Sequence, residues 1–120
     1  MTFNVEIVLK GHDSAITEAV SVAHDEPGSW DEAAVRDVLV GILRAIERAD
    51  NPKTPSDRGV ILQGFSWIVE PADGRVVIAI EIPMGAAVAG PFAIDRARLD
   101  ATIASVLRTE RLMVAPGTVH

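Results

Sequence analysis

A chain of 120 residues, 48% of them hydrophobic, fits one domain running its whole length, large enough to bury a core unaided. It has no cysteine, which excludes a disulfide framework, thiolate metal ligands and a thiol nucleophile. Its formal net charge is −6 with no basic stripe, against the phosphate-neutralising surface that nucleic acid demands, and its longest apolar helix-like stretch carries too many charges to span a membrane.

The opening residues have no basic region leading into a long apolar run, so no signal peptide is expected, and a cysteine-free chain suits a reducing cytoplasm. Residues 3–10 alternate: Phe3, Val5, Ile7 and Leu9 share one face, Asn4, Glu6, Val8 and Lys10 the other. That is the pattern of a half-buried strand. Gly11-His12-Asp13-Ser14 reads as a turn. Residues 15–23 read as a second strand, paired so that Leu9 faces Ile16, Val5 faces Val20 and Phe3 faces Val22. A short helix stacking Ile16, Ala19, Val20 and Ala23 is the alternative. Glu18 alone breaks the strand's inward face, which suits an edge, where an inward charge discourages further pairing.

After a turn at residues 25–28, Ser29-Trp30-Asp31-Glu32 has the spacing of a capping box, with Ser29 as N-cap. The helix it starts runs to about Ala49. Val35, Val38, Leu39, Ile42, Leu43, Ile46 and Ala49 fall in one arc and Arg36, Asp37, Arg44, Glu47 and Arg48 in the opposite one, so the helix is amphipathic. Residues 52–58 form a polar loop with two prolines. Next comes a hairpin, the expected spine of the core. Asp73-Gly74 between two β-rich runs signals a two-residue turn. With that turn, Val69 faces Ile78, Trp67 faces Ile80 and Phe65 faces Ile82, all on one side of the pleat.

Residues 84–92 read MGAAVAGPF, small and uncharged, as an apolar loop. Asp95 can cap a second helix, with Ile94 and Leu99 at the positions of a hydrophobic staple. Leu99, Ile103, Val106 and Leu107 form that helix's buried stripe. Residues 111–115 are short enough for a fifth strand, and residues 116–120 read as a flexible tail. The fold class expected is α+β: a two-layer sandwich of order ββαββα(β), with a four- or five-stranded antiparallel sheet and both helices on one face. If residues 15–23 are not a strand and residues 111–115 are, the chain reads instead as ferredoxin-like βαββαβ.

The candidate sites are modest. His12-Asp13 and His24-Asp25 invite a metal, but even a helix would hold the histidines about 18 Å apart at ~1.5 Å per residue, and no metal site is expected. His120 is terminal. Trp30 and Trp67 are expected in the core rather than stacked on a ligand. Ser66 faces Glu81 across the hairpin, an acid beside a hydroxyl but with no aligned nucleophile and base. Together with Met84, Gly85 and Gly90 of the glycine-bearing loop they form the candidate ligand site. The sheet face away from the helices carries Val8, Leu62, Ile68, Val77 and Ala79. A solvated face would be more polar, so these residues are the candidate interface of a homodimer. The functional expectation is a small soluble oligomeric interaction or structural protein, without catalytic chemistry or cofactor. The alternative is a small-molecule binder or enzyme using the residue 84–92 loop and the Ser66/Glu81 face.

Overall fold

The computed structural model describes residues 1–53 and 60–114, with side chains through residue 112. Most of the polar loop before Val60, and the expected tail with His120, lie outside the described residues. The chain forms β1 (Thr2–Leu9), β2 (Ile16–Ser21), α1 (Glu32–Asp50), β3 (Ser66–Ala72), β4 (Arg75–Ile82), β5 (Gly85–Phe92) and α2 (Arg96–Val114), with one 3-10 turn at Pro27–Ser29. The strands make a single antiparallel sheet in the order β2-β1-β5-β4-β3. Both helices cover one face of it, so the α+β two-layer architecture is as the patterning implies and the ferredoxin-like order is not adopted.

The β3–β4 hairpin has the expected register: Trp67 pairs with Ile80, Val69 with Ile78 and Ala72 with Arg75. Asp73 and Gly74 have φ of 50° and 80°, the left-handed pair that a two-residue hairpin turn requires. Val69, Ile78 and Ile80 are buried, while Phe65, Trp67 and Ile82 are half-buried against the core. The hairpin is not the centre of the sheet, however, because β3 lies at an edge. The centre is β5.

Residues 84–92 are therefore not a loop. Pro83 and Met84 make a second two-residue turn, and β5 pairs with β4 on one side and β1 on the other. The strand was hidden by its composition and by a bulge. Val76 pairs with Phe92 but Ile78 with Ala89, so β5 carries one extra residue around Gly90 and Pro91. Ala87 and Ala89 point into the core, and the bulge restores that side to Phe92. Gly90 has φ of +125° there, a conformation glycine tolerates and most residues do not. Phe92 is fully buried, with its ring 5.0 Å from that of Phe3 and 5.1 Å from that of Trp30, both edge to face.

β2 is a strand at an edge, as read, but its register is two residues from the expected one. Phe3 pairs with Val20 and Ile7 with Ile16, because the chain turns one residue earlier than expected, at Gly11 with φ of 82°, where the His12 N–H donates to the Leu9 carbonyl at 3.1 Å. A shift of two keeps every side chain on its side. Glu18 then meets Arg48 of α1 at 3.2 Å, which accounts for an acid on the inward face. The N-cap of α1 is Asp31 rather than Ser29: its carboxylate accepts from the Ala34 N–H at 2.9 Å. Ser29 is taken up in the 3-10 turn, and its hydroxyl donates to Glu26 at 3.5 Å. Arg98 of α2 fixes that turn by donating to the carbonyls of Gly28 and Trp30.

α1 buries Val35, Val38, Leu39, Ile42 and Ile46, the arc its periodicity marks. Asp95 caps α2 through the Arg98 N–H at 2.9 Å, with Ile94 and Leu99 both buried as a staple needs. Residues 111–114 continue this helix instead of forming a strand. Glu110, Arg111, Leu112 and Met113 are all good helix formers, and no proline intervenes before Pro116. Arg36 and Glu110 tie the two helices at 2.9 Å.

Candidate functional site on the open face of the sheet

The helices shield one face, so the residues of opposite parity are left to solvent. Cross-strand pairing arranges them in rows. One row runs Val8, Ala86, Glu81, Ser66; the next runs Thr17, Glu6, Val88, Ala79, Ile68. Val8, Ile68 and Val88 are 50%, 48% and 43% exposed, and large aliphatic side chains set this close together are uncommon on a solvated sheet. Val77, Ala79 and Ala86 are half-buried among them. Carboxylates of Glu6, Glu70 and Glu81 interrupt the patch, and Arg75 lies at one end.

Small residues make hollows between the aliphatic ones. A depression of about 320 Å³ lies over Ala79 and Ala86, walled by Ile68 and Val88. A second, open depression of about 740 Å³ adjoins it at the end of the sheet, lined by Lys10, Phe65, Ser66, Glu81, Gly85 and their neighbours. Ser66 and Glu81 are cross-strand partners and border both depressions.

Of the ligand-site candidates, Ser66, Glu81 and Gly85 therefore come together. Met84 sits beside them in the β4–β5 turn, 42% exposed, its carbonyl accepting from the Lys10 N–H at 2.9 Å. Gly90 does not join them, since it lies five residues along β5, roughly 16 Å away at ~3.3 Å per residue. Of the interface candidates, Val8, Ile68, Val77 and Ala79 share the open face. Leu62 does not: it precedes β3, outside its alternation, and is buried with the core at 4% exposure. Ala86 and Val88, which the sequence places in the residue 84–92 loop, and Lys10, which it does not single out, also belong to the surface. Their signal was the outward alternation of Ala86 and Val88 against Ala87 and Ala89, which is faint when alanine stands on both sides.

Among the described residues no histidine lies beside Ser66 and Glu81: His24 is engaged with Asp37 of α1 at 2.9 Å, and His12 lies in the β1–β2 connection. Among the described residues no group of three or more His, Asp or Glu could hold a metal. Away from this face, hydrogen bonding and charge from the Met1 ammonium, 2.9 Å away, hold the Asp25 carboxyl below its usual range. No helix among the described residues is long and apolar enough to cross a membrane. Comparison with protein-family models, with curated proteins and with solved structures gives no match.

Proposed function

We propose that this is a small interaction protein without chemistry of its own, working by packing the open face of its sheet against the same face of a second copy. The observation that carries this reading is the cluster of Val8, Ile68 and Val88 around hollows floored by Ala79 and Ala86. Projections next to hollows on one surface are what a twofold interface needs, because each copy must supply both halves of the fit.

The size is adequate. Five strands at ~4.8 Å spacing and about eight residues long give a footprint of roughly 600 Å² per copy. That lies a little below the ~800 Å² per partner of a standard interface, so nearly the whole face must engage. At roughly 25 cal/mol per Å² the apolar part is substantial before association costs are subtracted. A charge at the centre would be stranded without a partner. Val88→Lys or Ile68→Asp should therefore lower the mass found by light scattering while leaving the far-ultraviolet spectrum unchanged. Variants with the wild-type mass would sink the face-to-face reading.

A second reading rests on the depression shared by Lys10, Ser66 and Glu81, where an amine, a hydroxyl and a carboxylate border half-buried Phe65. Such a set suits a small polar molecule bearing both charges. Thermal-shift screening addresses it, since a ligand that binds only the folded chain raises Tm, and Glu81→Ala should abolish any shift found.

A further inference from the structure

The two edges of the sheet are finished differently. At β3, Ala72 and Arg75 flank a two-residue turn and exchange hydrogen bonds, so Trp67, Val69 and Pro71 turn their backbone groups outward. Pro71 has no N–H to offer. The Val69 carbonyl is occupied by the Arg96 Nε–H at 2.9 Å. Both devices discourage a further strand.

Among the described residues, β2 has neither, and the inward charge that could guard this edge, Glu18, is held by Arg48. Val22 donates to the Met1 carbonyl at 2.9 Å and its own carbonyl accepts from the Met1 ammonium. By alternation, Val20, Glu18 and Ile16 address β1, while Thr17, Ala19 and Ser21 send N–H and C=O outward. All three are exposed and none is proline. Beside this edge runs a groove of about 370 Å³, lined on the helix side by Asp37, Val40, Gly41, Arg44 and Arg48. These form one stripe of α1, with an acid at its start, two bases at its end and a smooth apolar middle. A Cβ on Gly41 would come within 2.6 Å of the Val20 side chain, so the middle of the stripe stands level with the Ala19-Val20 step.

We infer that a second copy of the chain pairs with this edge, β2 against β2, about a twofold axis at Ala19. Thr17 of each copy then lies opposite Ser21 of the other, and about six backbone hydrogen bonds close the seam. The same axis sets the two α1 stripes side by side and antiparallel. Asp37 of each copy, bonded to His24 within its own chain, approaches the Arg44 and Arg48 end of the other, where Arg48 holds Glu18, and Val40 and Gly41 meet at the centre. Charge that reverses along the stripe matches itself only in this antiparallel arrangement. An unrelated extended peptide would engage the strand edge but leave that match unused, which is why the occupant is a second copy. The sheet is doubled with both open faces on the same side, so edge pairing is independent of face pairing and can coexist with it.

The test uses the face variant as background. Val88→Lys chain should have twice the monomer mass by sedimentation equilibrium at micromolar to submillimolar concentration, and adding Ala19→Pro should halve it. Residue 19 spends no hydrogen bond on β1, so proline there should leave the circular dichroism spectrum close to that of the parent, while Tm falls by the lost contribution of the dimer. As a check that does not depend on proline, Ala19→Cys in the cysteine-free Val88→Lys chain should be joined to its counterpart by a short bis-maleimide, and Glu70→Cys on the finished edge of the same chain should not. Monomeric Val88→Lys chain, a double variant that stays dimeric while folded, or equal cross-linking at positions 19 and 70 would each overturn the proposal. Comparing wild type with Val88→Lys reports on the face alone, so failure of one interface cannot be mistaken for failure of the other.

Discussion

Gly90 decides on which side of the sheet Phe92 lies. A Cβ at this position would stand 3.1 Å from the Val76 carbonyl oxygen and 3.2 Å from the Phe92 ring, and the positive φ adds backbone strain. Gly90→Ala is accordingly expected to cost about 1–3 kcal/mol in urea unfolding, much of it through displacement of the Phe92 ring from Phe3 and Trp30. A cost within experimental error would mean that the bulge is not a fixed part of the fold. In the sequence, Gly90 looks like one more flexible loop residue. Its role depends on Val76 in a different strand, and no local pattern records that neighbour.

At the scale of elements, legibility followed contrast. α1 was readable because large aliphatic and charged residues alternate at helical spacing, and β3–β4 because β-branched residues flank Asp73-Gly74. β5 was not, since alanine and glycine on both sides of a strand produce almost no alternation. The same lack of contrast hides Ala86 and Val88 from the open face, because a strand so composed reads as a loop. Boundaries failed for another reason. Ser29 and Asp31 are both good capping residues two positions apart, and what excludes Ser29 is the 3-10 turn held by Arg98, a contact across 70 residues. The difference is measurable: Asp31→Ala should lose about 1 kcal/mol of stability, whereas Ser29→Ala should stay within roughly 0.5 kcal/mol of wild type. Equal losses would restore the capping-box reading.

For the whole molecule, the sheet order predicts where protection is greatest. β5 is flanked on both sides and covered by the helix layer on one face, with β1 and β4 beside it. Amide exchange should be slowest in these three strands and at least about tenfold faster for outward amides of β2, since protection falls toward elements with unpaired backbone. Uniform protection across the sheet would contradict this gradient. It would also speak against an open β2 edge unless the exchange were measured on the paired assembly, so dilute protein is the appropriate sample.

The junction of β1 with β5 has a consequence for how the chain acquires its shape during synthesis. Val5 is the neighbour of Ala89, more than eighty residues later. When β1, β2 and α1 have left the ribosome, one long side of β1 still has no strand beside it, and Phe3 still lacks the Phe92 ring it rests against. Loop closure over such a span is entropically slow to begin, and contacts of this kind dominate folding times. The nascent β1, β2 and α1 must therefore wait, with an open seam of their own, until β5 has been made. These elements are most exposed to wrong partners, including the same elements of a neighbouring nascent chain, in the interval before β5 arrives to occupy its place.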